Sequence, residues 1–369
     1  MKIRRNQRRN WLLYPFSLLY GIIIFIRNSL YDYHILPSKE FDFPVISVGN
    51  ITVGGTGKTP HIEYLIRLLK DRFSLAILSR GYKRKTGKFI LAEQHSTSLE
   101  IGDEPRQIKQ KFPDITVAVE KDRVKGVKKL RKLIKDLDII LLDDAFQHRS
   151  IKPGVNILLI DYHRLISKDY LLPFGRLREP AYETRRANII IVTKCPDRIK
   201  PIEKRIIYND LKIFPYQNLF FTQIIYGEMK PVFPANASAM TKSSIKKEKP
   251  YILLVTGIAN PRPFKRHVRW ISTKIKELSF RDHHYFSKKD LLKIADEYKK
   301  IENPNKIIMT TEKDAMRFQN ISDPTSILID NMYYIPIEVS FKDGTENDFN
   351  EQIIKYVKKN KKINSLFKR

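Results

Sequence analysis

Positions 49–60, GNITVGGTGKTP, hold the residues whose types and spacing promise the most chemistry. A glycine-rich loop between an apolar strand and a helix lets backbone amides approach a phosphate, and the positive end of the helix favours its charge. In this reading Thr52, Val53, Gly54, Gly55, Thr56, Gly57, Lys58 and Thr59 form the cradle. Lys58 reaches the β and γ phosphates and the Thr59 hydroxyl ligates magnesium, so ATP and Mg2+ are the expected ligands. The strict pattern G-x-x-x-x-G-K-S/T has glycine at position 52, where this chain has Thr52, which puts the shape of the first turn in question.

Such a loop needs a carboxylate for its metal at the end of a second apolar strand. Asp143 and Asp144 follow IILL directly. Successive side chains on a strand point to opposite faces, so one of the pair is expected on the ion or its water and the other behind it. Gln147 and His148 lie on the same turn. A GTPase reading is weakened because Thr193, Lys194, Cys195, Pro196 and Asp197 nearly form N/T-K-x-D but place the aspartate one residue late, and no D-x-x-G follows the Asp143 pair. A partition-type ATPase would carry a lysine where Val53 stands. An ATP-dependent kinase or related ligase remains.

Phosphoryl transfer to a hydroxyl needs a base near the γ phosphate. The candidates are Asp103 and Glu104 in GDEP and the histidines His283 and His284 in RDHHYF, while Arg80, Arg176, Arg178 and Lys313 are candidate phosphate cations. The residues by themselves do not choose among them.

Short apolar runs alternate with helical patterns, the mark of βαβ units and a parallel sheet, so an α/β fold is expected to position these groups. Strands are expected over residues 45–48, 75–79, 115–119, 139–142, 155–160 and 188–193. Ile62, Leu65, Ile66 and Leu69 repeat at helical spacing after the glycine loop, as do Val124, Val127, Leu130 and Ile134. A second α/β unit is expected to contain strands 251–255 and 306–309, and runs 219–225 and 332–337 bracket it and could pair as a bridge. Residues 234–250 read as a linker or exposed loop. The resulting division is 1–30 for an apolar helix, 31–218 for the nucleotide domain, 219–340 for linker strands and a smaller domain, and 341–369 for a basic helical tail.

The chain of 369 residues has 69 basic and 40 acidic side chains, a formal net charge of +29, which favours anionic partners. Much of the excess lies in residues 1–10 and 355–369, which fits a nucleic-acid-binding ATPase poorly, and no nucleic-acid module is present. One cysteine, Cys195, excludes an intramolecular disulfide framework. The apolar run 11–26 would rise about 24 Å as a helix, short of a bilayer core of about 30 Å. A cleaved signal peptide would need a small-residue cleavage site, which does not follow Ile26. A buried core helix is a second possibility. The arginine flanks together with Trp11, Tyr14 and Tyr20 favour a third, a monotopic anchor on an anionic membrane surface. A P-loop kinase acting on a different small or lipid acceptor is the alternative function, the soluble form of it a kinase or ligase of a small metabolite.

The segments VGNITVGGTGKTP, SRGY, GDEP, LLDDAFQH, GRLREP, VTK, TGIANP, FRDHH and TEKDA resemble, in order, the motif series of the tetraacyldisaccharide 4'-kinases, the lipid A 4'-kinases of Gram-negative bacteria. The resemblance runs from about Val48 to Ala315 and extends to the amino-terminal apolar helix. It implies two α/β/α domains joined by a two-stranded link, at the cytoplasmic face of the inner membrane. It implies transfer of the γ phosphate of ATP to the 4'-hydroxyl of tetraacyldisaccharide 1-phosphate, yielding lipid IVA. Carried over residue by residue, Lys58 and Thr59 hold phosphate and magnesium, Asp143 and Asp144 serve the metal, and Arg178 contacts phosphates. Asp103 is the base, assisted by His283. Phe174 and Ala145 stand where the pattern expects smaller or glycine residues, which concerns local loop shape.

Overall fold

The computed structural model describes residues 11–81, 84, 87–233, 249–282, 284–319, 321 and 324–366, the last five of these by backbone alone. Most of the expected linker 234–250, and His283, lie outside the described residues. The chain divides into two compact units: Met1–Ile224 with Val339–Arg369, and Ile225–Glu338. Both are mixed α/β with mainly parallel sheets.

The first unit begins with α1 (Tyr14–Asp32), then β1 (Lys39–Glu40), β2 (Val45–Gly49), α2 (Lys58–Leu69), β3 (Leu75–Ser79) and β4 (Ile90–Leu91). It continues through α3 (Ser98–Ile101), α4 (Asp103–Lys111), β5 (Thr116–Val119), α5 (Arg123–Leu133) and β6 (Ile139–Asp143). The short β7 (Ile151–Lys152) precedes β8 (Val155–Asp161), β9 (Ile189–Thr193), α6 (Pro201–Leu211) and β10 (Asn218–Tyr226). In the second unit β11 (Lys230–Pro231), β12 (Tyr251–Thr256), α7 (Arg262–Ile271), β13 (Ile275–Ser279), α8 (Lys288–Lys299) and β14 (Lys306–Thr311) are followed by α9 (Glu312–Phe318), α10 (Ser326–Asn331) and β15 (Met332–Ile335). The chain leaves the first unit along β10 and returns along β16 (Ile337–Phe341) into α11 (Glu346–Leu366).

The large sheet has the order β16-β10-β9-β8-β2-β6-β3-β5-β4. Every pairing from β10 to β5 is parallel, and β4 runs antiparallel at the edge. Its inner strands β2, β3, β6, β8 and β9 are buried at every position, as strands covered on both faces must be. β2 sits between β6 and β8, with Val48 opposite Asp143 and Gly49 opposite Leu158. That register puts the start of the glycine loop beside the paired aspartates. The second unit carries a five-stranded sheet, β11-β15-β14-β12-β13, parallel except for β11.

One expectation is corrected. The run 332–337 is not one strand paired with 219–225: it breaks at Pro336, β15 stays in the five-stranded sheet, and β16 is the neighbour of β10. Proline has no N–H to give a ladder, so the chain changes sheets there. The basic tail is a helix, as expected, and its apolar face is buried in the first unit. Phe349, Ile353 and Val357 on α11 join the same core as Ile46, Leu65 and Ile77, and Tyr356 Oη accepts a hydrogen bond from Val45 N at 3.1 Å.

The amino-terminal helix is longer than the apolar run. With a preceding 3-10 turn it covers Trp11–Asp32, 22 residues, long and apolar enough to cross a membrane by length and composition. Leu12, Phe16, Leu18, Leu19, Ile22, Ile23, Phe25 and Ile26 are exposed, which is not the environment of a core helix. Ser17, Tyr20, Arg27 and Asn28 bond to the first unit, so the helix is built into the fold rather than appended to it.

Candidate functional site

The glycine loop leaves β2 in an extended path. Thr52 forms a bridge with Leu177, Val53 N donates to Arg176 O at 2.8 Å, and Arg178 N donates to Ile51 O at 2.7 Å. The threonine that departs from the strict pattern is therefore accommodated: the first half of the loop is a short ribbon against 176–178, where no turn glycine is needed. Gly57 then takes φ 92°, in the left-handed region that favours glycine, and Lys58 starts α2. Gly49 is required for another reason. A Cβ there would lie 2.7 Å from Phe146 Cβ and 2.9 Å from Phe146 N, so only glycine lets the turn after Asp144 come this close.

Beyond β6, Asp144 adopts φ 47°, a conformation that aspartate tolerates better than most side chains. Its carboxylate lies between two cations, Lys58 Nζ at 3.5 Å and Arg178 Nη1 at 3.5 Å. Asp143 is buried and accepts a hydrogen bond from Ser79 Oγ at 3.0 Å. Burial, with Glu104 and Asp144 nearby, raises its pKa against the opposing pull of Lys58. The buried Arg123 donates to the Asp143 carbonyl at 2.9 Å and to the Glu120 carbonyl at 2.6 Å, which ties the end of β6 to the end of β5. Burial lowers the Arg123 pKa to about 10, a value at which the guanidinium is still charged at neutral pH. His148 is held neutral: burial, then Arg123 and Arg80, push its pKa down to about 4.

The other side of the loop is held by groups that single-residue reading does not connect. Thr193 Oγ1, at the end of β9, donates to Thr56 O at 2.8 Å. Lys194, at φ 57°, donates to the Gly55 carbonyl and to Asp161 Oδ2, the latter at 2.8 Å. His61 lies beneath, with Nδ1 2.8 Å from Gly57 O and Nε2 3.0 Å from Thr222 Oγ1, and burial lowers its pKa to about 4. The near-miss at 193–197 is thus a support for the phosphate loop. The one sequence signal available was the VTK triplet at the end of an apolar strand.

These residues fit a nucleotide with its metal. A Cβ on Gly55 would meet nothing within 4 Å, and one on Gly54 only Arg164 Nη1 at 3.7 Å, so open space faces the loop. Among the described residues, Thr56 Oγ1 is buried without a hydrogen-bond partner and Asp144 Oδ1 is buried with the 3.5 Å ion pair to Lys58 but no hydrogen bond, as polar atoms shaped for a ligand would be.

On the acceptor side, Asp103 and Glu104 open α4, both half-buried, after Gly102 at φ 93°. Arg80 is exposed at the end of β3. His284 is engaged in local structure: its Nε2 lies 3.0 Å from Asp290 Oδ2, in the capping box of α8. Lys313 lies in the first turn of α9. The first unit brings Lys58, Asp143, Asp144 and Arg178 together, with Glu104 of α4 close enough to act on Asp143.

A parallel-sheet strand, a glycine loop, a lysine at a helix start and a neighbouring strand ending in paired aspartates define a P-loop nucleotide-binding protein. Comparison with known proteins narrows the class. The family profile described as Tetraacyldisaccharide-1-P 4'-kinase matches residues 9–358. A tetraacyldisaccharide 4'-kinase of Parabacteroides distasonis is 49% identical over 350 residues, 94% of this chain and 95% of that protein. One of Phocaeicola vulgatus is 48% identical over 360 residues, 97% of this chain and 98% of the other. A crystal structure of an "apo" form LpxK from Aquifex aeolicus in complex with ATP superposes with a TM-score of 0.72 at 30% identity, covering 95% of this chain and 99% of that one. The chain belongs to the tetraacyldisaccharide 4'-kinase family.

Proposed function

We propose that this chain moves the γ phosphate of ATP to the 4'-hydroxyl of tetraacyldisaccharide 1-phosphate, yielding lipid IVA. The observation that carries this reading is the family match over residues 9–358 together with Lys58 and Asp144 facing each other beside the glycine loop. Magnesium, when bound, neutralises phosphate charge; Thr59 and one of Asp143 and Asp144 are the residues suited to hold it. Asp144 is the better candidate for direct ligation, since its side chain is part-exposed and lies between Lys58 and Arg178, while Asp143 is buried and bonded to Ser79. Lys58 and Arg178 now balance Asp144 and are placed to take up phosphate charge instead. The amides of 54–58 orient the triphosphate, with the loop braced by Thr193 and Lys194.

Asp103 is proposed as the base that accepts the proton of the 4'-hydroxyl, with His283 assisting. We read β10 and β16 as the two-stranded link between two α/β/α domains. The exposed apolar face of α1, with Trp11 tilted against Phe174 and Tyr14 edge-on to it, supports attachment to the cytoplasmic face of the inner membrane, where the acyl chains of the substrate remain in lipid.

The test is transfer of labelled γ phosphate from ATP to purified tetraacyldisaccharide 1-phosphate in detergent micelles, with Lys58→Ala as control. Product from the unaltered protein and none from the variant is expected. A pure, ATP-binding protein that makes no product would refute the choice of acceptor.

A further inference from the structure

We propose that Asn28 is a positioning residue for the phosphate site, so that the inward seam of α1 belongs to the catalytic machinery as well as to membrane attachment. The proposal rests on the kinase reading above.

The seam inverts the usual amphipathic pattern. Ser17, Tyr20, Gly21, Ile24, Arg27, Asn28 and Tyr31 recur at helical spacing and turn toward protein, while the apolar positions between them face outward. Two of these inward groups meet Glu179 and Glu183, whose side chains are fully buried. Buried carboxylates are costly unless paired and hydrogen-bonded. Arg186 serves both, donating Nε to Glu183 at 2.6 Å and Nη2 to Glu179. One guanidinium leaves one negative charge in excess, and α1 supplies the remainder. Arg27 Nη1 lies 3.8 Å from Glu179, and Asn28 Nδ2 donates to Glu183 Oε1 at 2.8 Å and reaches Glu179 Oε1 at 3.4 Å.

This cluster adjoins both chain segments that converge on Asp144. Glu179 directly follows Arg178, whose guanidinium is paired with Asp144, and Tyr20 Oη donates to the Arg178 carbonyl at 2.8 Å. Phe146, two residues beyond Asp144, offers its carbonyl to Arg186 Nη1 at 2.8 Å, and Arg27 Nη2 donates to Gln147 O at 2.8 Å. Removing the Asn28 amide strips Glu183 Oε1 of its donor and frees the segment that aims Arg178.

The experiment uses the full chain in detergent micelles, where membrane attachment is not limiting. Because a misplacement of about 1 Å costs on the order of 100-fold in rate, Asn28→Ala is expected to lower kcat by about 10- to 100-fold with KM for the lipid little changed. The decisive arm is a double-variant cycle: in an Arg178→Ala background, Asn28→Ala lowers kcat no further, because its effect runs through Arg178. Tyr20→Phe, which deletes one oxygen and keeps the ring, covers the case in which Asn28→Ala does not fold. It is expected to give a smaller loss that is likewise absent beside Arg178→Ala. Affinity for a fluorescent ATP analogue, weakened by Asn28→Ala but not additively with Arg178→Ala, gives a readout independent of the lipid. Wild-type kcat and ATP affinity in the single variants, or losses that multiply in the doubles, overturn the proposal. If the unaltered protein transfers no phosphate to the lipid, the acceptor assignment fails, and the ATP-analogue cycle still decides the role of Asn28.

Discussion

Replacing Lys194 by methionine keeps the length of the side chain and deletes its ammonium. In the folded protein that group bridges Asp161 Oδ2, at 2.8 Å, and the Gly55 carbonyl within the phosphate loop. The Asp161 side chain is only 11% exposed, so it would lose its partner with little water to replace it. A hydrogen bond to a charged group contributes about 1.5 to 3 kcal/mol. Only the bond to Gly55 bears directly on loop geometry, so about 2 kcal/mol should be lost from the ordered loop. With tenfold in affinity for each 1.4 kcal/mol, ATP should bind about 30-fold more weakly. Titration calorimetry of ATP into purified protein in detergent measures this, and kcat at saturating ATP should fall much less, because bound nucleotide restores the loop. Thr193→Val removes a single neutral bond to Thr56 O and should weaken ATP about fivefold, matching about 1 kcal/mol. If Lys194→Met lowers the melting temperature while ATP affinity stays within twofold, Lys194 merely pairs with Asp161 and the bracing argument is wrong.

Three further outcomes are expected. The folded protein holds His61 well below its ordinary pKa, at about 4 instead of 6.5, so protons bind preferentially to the unfolded chain. Stability is then complete above about pH 6.5 and falls toward pH 4 by up to about 3 kcal/mol from this residue, with His148 acting in the same sense. Urea unfolding at pH 7.5 and pH 5 should show this loss, and His61→Gln should shrink it; an equal loss in the variant would assign the acid sensitivity elsewhere. Gly49→Ala forces its Cβ against Phe146 at 2.7 Å and should cost about 1 to 3 kcal/mol together with most activity; an active variant with an unchanged melting temperature would show that the turn yields easily. Asp144→Asn keeps the shape but removes the charge between Lys58 and Arg178, and should raise the magnesium needed for half-maximal activity at least tenfold. A magnesium titration indistinguishable from wild type would shift the ligand role to Asp143.

The phosphate loop was readable because its glycines, lysine and threonine follow one another in the chain, so one short segment contains nearly the whole motif. The paired aspartates were readable for a similar reason, as they end a run of buried aliphatic residues. Elements without an apolar signature were not: β13, IKELS, has exposed or half-buried positions throughout and is specified by its parallel register with β12. The braces at Thr193, Lys194 and Asp161 and the seam at Asn28 were also missed as supports. Their partners lie between 33 and 155 residues away in the chain.

What the sequence by itself determined is what neighbours in the chain can specify: a P-loop, paired aspartates at the end of an apolar strand, an apolar helix and a run of motifs that marks the family. Tertiary structure alone decided which aspartate faces the cations, how Thr52 fits where glycine was expected, and that the apolar helix continues to Asp32 with a polar seam against Glu179 and Glu183. The physical reason is one of range. Helix, strand and loop preferences act over a few residues, whereas a buried charge must find its partner wherever the sheet order brings one, and that order is not written in any local pattern.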